Sequence, residues 1–346
     1  MNPMILFILL FSLAMGTITT LSSYHWLLAW LGLEINTMAI IPIITKKHHP
    51  RATEAATKYF LTQTAASTLI LLSSTLNAWT TGQWTITELH HPLAMMMLTL
   101  AVAMKLGLAP THFWLPEVMQ GTTIKTALLL TTWQKIAPLT FIYLTSNHLS
   151  TKMLFTLGLL SVMLGGITGL NQTQTRKIMA YSSIAHMGWL TMILTLNLNL
   201  MTFTLMLYIT MTTSSFMILL MSESKTMTDL GLAWTTSPTS MLLLMLSLLS
   251  LGGLPPLSGF MPKLLILKEM TMLNMISTST ILALSALPSL FFYLRLSYLM
   301  LMTIPPTTTT TEHKWRHKNN TLKITTQLFI ITTTLLPITP LVNKIL

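Results

Sequence analysis

The stretch Lys105-Leu-Gly-Leu-Ala-Pro-Thr-His-Phe-Trp-Leu-Pro-Glu117 decides the fold, because it interrupts an apolar run that is otherwise long enough to cross a membrane. The run covers residues 91–118, and about 20 apolar residues suffice for a transmembrane helix. Pro110 and Pro116 each lack a backbone donor and clash with the preceding turn. The stretch therefore predicts a transmembrane helix that is broken within the bilayer.

A second stretch, Gly252-Gly-Leu-Pro-Pro-Leu-Ser-Gly-Phe-Met-Pro-Lys263, repeats this pattern. With Gly107 placed on Gly253, both stretches read Gly-Leu-x-Pro, and a later Pro is followed by a charged residue, Glu117 in one and Lys263 in the other. The breaks fall in the fourth and ninth predicted spans, so their helices run in opposite directions. Paired broken helices in an inverted repeat indicate a transport site near the membrane midplane. Coincidental prolines at unrelated helix ends are the alternative.

The rest of the chain predicts one all-α polytopic membrane domain over residues 1–346. Of the 346 residues, 52% are hydrophobic and 8% are charged, whereas soluble domains carry about 25% charged residues. The first run is interpreted as a retained span, since no basic segment precedes it. The longest hydrophilic stretch, 307–320, is too short for a domain. About eleven spans are predicted, at 3–22, 25–44, 57–78, 91–118, 124–146, 150–170, 177–197, 199–221, 239–270, 275–301 and 324–345.

Basic residues alternate from loop to loop, as membrane orientation requires. The side that carries the N-terminus receives most of them, and the other side receives little beyond Lys152 and Lys344. The pattern predicts that the N-terminus faces the compartment where the chain is made and that the C-terminus lies opposite. The net charge of +11 does not indicate nucleic-acid binding, because these residues lie in short loops. Those on the N-terminal side are Lys46, Lys47, Arg51, Lys125, Arg176, Lys177, Lys225, Lys314, Arg316 and Lys318.

Four charged side chains lie within predicted spans or beside their breaks: Glu34, Lys105, Lys135 and Lys263. A charge in mid-helix costs at least about 2.5–3.5 kcal/mol on insertion scales and normally faces a polar interior. One acid and three amines on different helices predict a row of proton-binding sites, in which a shift of Glu34 relative to Lys105 would load or release a proton. The alternative is a set of static ion pairs that fix helix packing.

Two histidines are candidate members of the same path. His186 lies in mid-span beside hydroxyl groups and titrates near physiological pH, and His112 lies in the first break, where carbonyls are free. For each, a structural role is an equal alternative. The chain has no Cys, which excludes Fe–S clusters and Cys-based zinc sites. Neither a metal-ligand spacing nor a Gly-rich phosphate loop occurs in the sequence, so no cofactor is predicted in this chain.

These motifs resemble the subunit 2 family of mitochondrial NADH dehydrogenase, one of the antiporter-like subunits of respiratory complex I. The resemblance extends over most of the chain, with Thr111 as a departure where the family has Phe. It rests on Trp30-Leu-Gly-Leu-Glu34, Glu54-Ala-Ala-Thr-Lys58, Met104-Lys-Leu-Gly-Leu-Ala-Pro110, Trp133-Gln-Lys-Ile-Ala-Pro138, Arg176-Lys-Ile-Met-Ala-Tyr-Ser-Ser-Ile-Ala-His186 and Leu251-Gly-Gly-Leu-Pro-Pro-Leu-Ser-Gly-Phe260.

The resemblance implies a core membrane subunit of the proton-pumping NADH:ubiquinone oxidoreductase in the mitochondrial inner membrane, with its N-terminus in the matrix and its C-terminus in the intermembrane space. It implies that Glu34, Lys105, Lys135 and Lys263 match proton-path residues, with His186 as a relay. FMN, Fe–S clusters and ubiquinone are then expected in partner subunits, and neighbouring antiporter-like subunits, lipids and protons are the expected partners. A stand-alone cation/proton antiporter and a membrane scaffold without its own path remain alternatives.

Overall fold

The computed structural model describes residues 2–235, 237–303 and 323–339. Over these residues the backbone is mostly helical and contains no β-strand, so the predicted all-α fold is confirmed. The chain forms two compact units, Met1–Ser161 and Val162–Leu346, called here the N-terminal and the C-terminal unit.

The N-terminal unit is built from seven helices and the first part of an eighth. Helices α1 and α2 approach closely at Gly16 and Gly32. The approach requires glycine, because a Cβ on Gly16 would clash with the Asn36 side chain. The helices are α1 (Pro3–Leu21), α2 (Trp26–Ile44), α3 (Pro50–Thr81), α4 (Pro92–Leu106), α5 (Trp114–Gly121), α6 (Ile124–Thr131), α7 (Trp133–Thr145) and α8 (Thr151–Gly169).

The C-terminal unit places α10 against several neighbours, namely α9, α12, α13 and α15. Its helices are α9 (Thr175–Leu194), α10 (Leu198–Ser222), α11 (Met227–Leu232), α12 (Pro238–Gly252), α13 (Phe260–Met272), α14 (Ile276–Met302) and α15 (Lys323–Thr334).

Both predicted breaks occur in the structure. The run 91–118 is divided into α4 and α5, and the run 239–270 is divided into α12 and α13. A third break was not predicted: the run 124–146 is divided at Thr132 into α6 and α7. The Thr132 hydroxyl donates to Leu128 O at 2.7 Å, and the Thr132 N–H donates to the same carbonyl. Thr132 itself has a φ of −108° and a ψ of −71°, and the fifth predicted span is interrupted at this residue.

Five helices in the described ranges are long and apolar enough to cross a membrane by themselves: α1, α2, α8, α10 and α14. The shorter apolar helices α4 and α12 are the segments that precede the two predicted breaks. Helix α3 is longer than its predicted span of 57–78. The stretch 307–320, with Lys314, Arg316 and Lys318, lies outside the described residues, as do Lys344 and part of the last predicted span.

Candidate functional site

The end of α4 leaves a backbone carbonyl free inside the N-terminal unit. Gly107 has a φ of +70°, a left-handed conformation that glycine adopts without strain. Its N–H donates to Met104 O at 3.2 Å, and the Leu108 N–H donates to Ala103 O at 2.9 Å. This hydrogen-bond pattern satisfies the two carbonyls one turn back. The Leu106 carbonyl, at the negative end of the helix dipole, stays available to a cation.

Lys135 supplies that cation. It is the third residue of α7 and is 1% exposed, and its Nζ donates to Leu106 O. The ammonium also lies 5.7 Å from the centroid of the Trp114 ring, within reach of a cation–π interaction. Trp114 is fixed in turn, because its Nε1 donates to Met104 O at 2.9 Å. The break in the helix therefore creates the binding place of the lysine.

Lys105 and Glu34, which the sequence analysis pairs, lie on different helices, α4 and α2. Lys105 is 4% exposed, in the last turn of α4, and its Nζ has no hydrogen-bond partner in the described part of the chain. Glu34 is half-buried on α2, and its Oε2 accepts a hydrogen bond from Thr37 Oγ1 at 3.0 Å. The ion pairs within 4.0 Å among the described residues do not include these two. The interaction between Glu34 and Lys105 therefore stays a prediction.

A small cavity joins these lysines to uncharged polar side chains. It has room for about one water molecule. The Tyr59 hydroxyl donates to Gln134 Oε1 at 3.4 Å at its edge. The sequence reasoning missed the amides, because an uncharged polar residue in an apolar run gives little signal, although Gln134 directly precedes Lys135. The polar residues that line this first cavity are Asn36, Thr37, Tyr59, Gln63, Lys105, Gln134 and Lys135.

The end of α12 has the same backbone geometry in the C-terminal unit. Gly253 has a φ of +80°, and its N–H donates to Ser250 O at 3.0 Å. The Leu254 N–H donates to Leu249 O at 3.4 Å. As after α4, the last helical carbonyl, here that of Gly252, is left free.

Lys263 binds this carbonyl. Its Nζ donates to Gly252 O at 2.7 Å and lies 6.0 Å from the centroid of the Trp189 ring. The alignment of the two stretches placed Lys263 on Glu117, but by its contacts Lys263 corresponds to Lys135. The alignment could not find this pairing, because Lys135 comes from a different helix, α7, that packs against the broken one.

His186 lies beside Lys263. It is half-buried on α9, and its ring centroid is 5.4 Å from that of Tyr208. A second cavity, with room for about one or two water molecules, brings these groups together. Its lining includes His186, Trp189, Thr204, Tyr208 and Lys263.

His112 is placed in the first break, as predicted, but apart from the lysine cavity. It is 2% exposed and its ring centroid is 4.4 Å from that of Phe113. It is not among the residues that line the first cavity. Its Nδ1 has no hydrogen-bond partner among the residues described.

Two further charged contacts were missed by the sequence reasoning. Lys58 forms the predicted pair with Glu54, at 2.6 Å, but it also contacts Glu117 at 2.7 Å and so links α3 to α5. The Lys58 ammonium holds the pKa of the exposed Glu54 carboxyl below its ordinary value.

The second missed contact is made by Arg295, within the predicted span 275–301, which donates to Leu170 O at 2.6 Å. Its charge in an apolar run was the signal that could have found it.

The described ranges contain no group of three or more His, Cys, Asp or Glu side chains that could hold a metal ion.

Comparison with known proteins gives the class first. Residues 23–288 match the membrane family described as NADH:quinone oxidoreductase/Mrp antiporter, and residues 290–343 match the C-terminal family of NADH dehydrogenase subunit 2. A chain in the structure of respiratory complex I from Thermus thermophilus superposes with a TM-score of 0.87 at 25% identity, over 99% of this chain and 80% of that one. The fold is therefore that of an antiporter-like membrane subunit.

Two relatives make the assignment narrower. NADH-ubiquinone oxidoreductase chain 2 of Polypterus ornatipinnis is 53% identical over 98% of both chains. That of Salmo salar is 55% identical, covering 100% of this chain and 99% of the relative. The chain belongs to the NADH-ubiquinone oxidoreductase chain 2 family, which confirms the resemblance found in its motifs.

Proposed function

We propose that this chain conducts protons across the membrane as a core membrane subunit of the H⁺-translocating NADH:ubiquinone oxidoreductase. The observation that carries the proposal is the repeated lysine arrangement. In each unit, the ammonium of a lysine, buried for Lys135 and half-buried for Lys263, is held on the last free carbonyl of a broken helix, beside a tryptophan ring and a small cavity.

Such a lysine is suited to binding and releasing protons. An ammonium group loses strong hydration when it is buried, so lysine releases its proton readily in such places. The carbonyl and the ring stabilise the charged form, and any movement that weakens these contacts favours release. In the N-terminal unit, Lys105 and Lys135 exchange protons and the charge of Glu34 tunes Lys105. In the C-terminal unit, Lys263 carries the proton and His186 relays it. His112, in the first break, belongs to the same proposed path.

The energy for this transport comes from redox chemistry in partner subunits. Moving one elementary charge against 100 mV costs about 2.3 kcal/mol, and a chain that only conducts would dissipate the gradient. FMN, Fe–S clusters and ubiquinone belong to those partners under this proposal. The inner mitochondrial membrane is the proposed location, with the N-terminus in the matrix, the C-terminus in the intermembrane space, and lipids and neighbouring antiporter-like subunits around the chain.

A stand-alone cation/proton antiporter is the second candidate, because the matching family includes Mrp antiporters. Purification separates the two. A large assembly that oxidises NADH and requires this chain supports the subunit, whereas a free and active monomer contradicts it.

The proton path is tested by Lys105→Met and Lys135→Met in the holoenzyme, reconstituted in liposomes. We expect fewer protons to be pumped per NADH oxidised, since Met cannot carry a proton. Lys125→Met is the matched control, because Lys125 is exposed at the start of α6. If both buried-lysine variants assemble and pump normally, these residues only hold helices together and the proposed path is wrong.

A further inference from the structure

The short helix α5 lies against α3 along one face, and it brings a tryptophan to Lys135. Among the described helices, α3 is the main neighbour of α5. Trp114, Glu117 and Gly121 follow one another at intervals of three and four residues on α5, a spacing that places residues on one face of a helix. This face is the one that meets α3.

The two ends of this face make apolar contacts. At one end, the Trp114 ring lies edge-on to Tyr59, with the ring centroids 5.8 Å apart. At the other end, the backbones approach closely, because a Cβ on Gly121 would lie 2.5 Å from Arg51 O and 2.6 Å from Ala55 Cβ. Apolar burial is non-directional, so these contacts bring the helices together without a polar link.

The polar link is the ion pair between Lys58 and Glu117. Glu117 lies between Trp114 and Gly121 in the sequence of α5, and its Oε2 is 2.7 Å from Lys58 Nζ. Lys58 also binds Glu54 at 2.6 Å, one turn earlier on its own helix, and this second contact does not involve α5. Charge-assisted hydrogen bonds are short and depend on direction. The Lys58–Glu117 pair is therefore suited to fix where α5 sits on α3.

The place of α5 matters to the lysine because Trp114 is its first residue. The Lys135 ammonium lies 5.7 Å from the centroid of the Trp114 ring. A cation–π interaction requires a separation within about 6 Å, so a small shift of α5 is enough to remove it. The Trp114 Nε1 donates to Met104 O at 2.9 Å, and the same shift would weaken this hydrogen bond.

We propose that Lys58 and Glu117 are positioning residues, which hold α5 on α3 and thereby keep the Trp114 ring beside Lys135. This inference rests on the proposed function, because it assigns the arrangement of a lysine in the proposed path to an ion pair at the surface of the unit. Exposed ion pairs contribute little to stability. The role is therefore expected to show in proton pumping and not in assembly.

The test uses the holoenzyme reconstituted in liposomes. Lys58→Met and Glu117→Gln each remove one charge of the pair, and we expect both variants to assemble and to pump fewer protons per NADH oxidised. The exchanged pair, Lys58→Glu with Glu117→Lys, keeps one ammonium and two carboxylates in this place and should restore most of the loss. Glu54→Gln is the matched control and should pump normally, since Glu54 binds the same lysine from within α3.

Two further measurements separate positioning from general support of the fold. Trp114→Leu should lower pumping, and Lys58→Met added to it should lower pumping no further, because residues that act through one contact are not additive. A density map of the Lys58→Met holoenzyme should show the Trp114 ring displaced from Lys135. The map of Glu54→Gln should show the ring unmoved.

Three outcomes would overturn the positioning role: normal pumping by Lys58→Met and Glu117→Gln, no rescue by the exchanged pair, or an additive loss when Lys58→Met is combined with Trp114→Leu. The Lys135→Met variant keeps such a failure separate from that of the proposed function. If Lys135→Met lowers pumping and Lys58→Met does not, only the positioning role is wrong. If neither lowers it, the proton path is also wrong.

Discussion

At the scale of single residues, glycine conformation and lysine chemistry depend on each other. Gly107 and Gly253 end their helices with positive φ values, and this conformation exposes the carbonyls that Lys135 and Lys263 bind. A side chain at either glycine would strain the backbone and so weaken the end of the helix. The glycines therefore contribute to the site although they carry no functional group.

A comparison of three glycines separates this role from simple strain. Gly82, Gly107 and Gly253 all have φ near +70° to +80°. A Cβ at Gly82 would meet nothing within 4 Å, whereas a Cβ at Gly253 would lie 3.0 Å from Lys263 Nζ. We expect Gly82→Ala and Gly253→Ala each to lose about 1–2 kcal/mol of stability from the left-handed backbone, as measured by thermal inactivation. Only Gly253→Ala should also lower proton pumping. Equal pumping by the two variants would contradict the link between glycine and lysine.

Lys263 itself can be compared with a lysine on the same helix. We expect Lys263→Met to lower the protons pumped per NADH oxidised. The substitution removes the cationic partner of the Gly252 carbonyl, and it also removes the amine that lines the second cavity. Lys268→Met should pump normally, since Lys268 is exposed on α13. Electron transfer from NADH to ubiquinone, measured in parallel, checks assembly. A Lys268 effect as large as the Lys263 effect would show that positive charge on α13 matters more than the contact of Lys263 with the Gly252 carbonyl.

At the scale of helices, the short helix α11 lies between the predicted spans 199–221 and 239–270 and is capped at its N-terminus. Helix α11 begins with a reciprocal arrangement in which the Asp229 N–H donates to Thr226 Oγ1 at 3.3 Å and the Thr226 N–H donates to Asp229 Oδ2 at 2.9 Å. The Lys225 N–H donates to the same carboxylate at 3.1 Å. These donors, that of Thr226 first, hold the pKa of Asp229 below its ordinary value.

The cap predicts a pH dependence with a definite sign. Because the folded pKa of Asp229 is lowered, the stabilisation is fully present above the unfolded pKa of about 3.9 and is lost as pH falls through the folded value. Hydrogen exchange should show protection of the Lys225 and Thr226 amides that disappears only at the acidic end. Asp229→Asn should remove the pH dependence, and Thr226→Ala should cost about 1 kcal/mol of local stability. Protection that is lost near neutral pH would contradict this assignment.

The sequence predicted the helices better than the contacts between them. Prolines and glycines are local signals, so the breaks after Leu106 and Gly252 could be read from the chain. The break at Thr132 could not, because neither Pro nor Gly stands at or beside that position. The Lys135 contact with Leu106 and the Lys58 contact with Glu117 also escaped prediction, since each requires two separate helices to pack at one particular height.

At the scale of the whole molecule, the fold identifies the class of protein, whereas the loop charges predict the direction of its insertion into the membrane. The family match and the superposition define an antiporter-like membrane fold, but the direction in which it is inserted is a proposal that rests on the excess of basic residues on one side. Lysine and arginine in short loops stay on the side where the chain is made. The sidedness of the proton path depends on this orientation.

The absence of cysteine from the chain permits a direct test of the orientation. Lys46 and Lys152 are both exposed, and the predicted spans place them on opposite sides of the membrane. In sealed vesicles of known sidedness, a membrane-impermeant maleimide should label Lys46→Cys from the matrix side and Lys152→Cys only from the other side. Because other subunits contain their own thiols, labelling is measured by mass spectrometry of peptides from this chain. Labelling of both positions from one side would show that the span count is wrong by one, and the proposed entry and exit of protons would then have to be reversed for part of the chain.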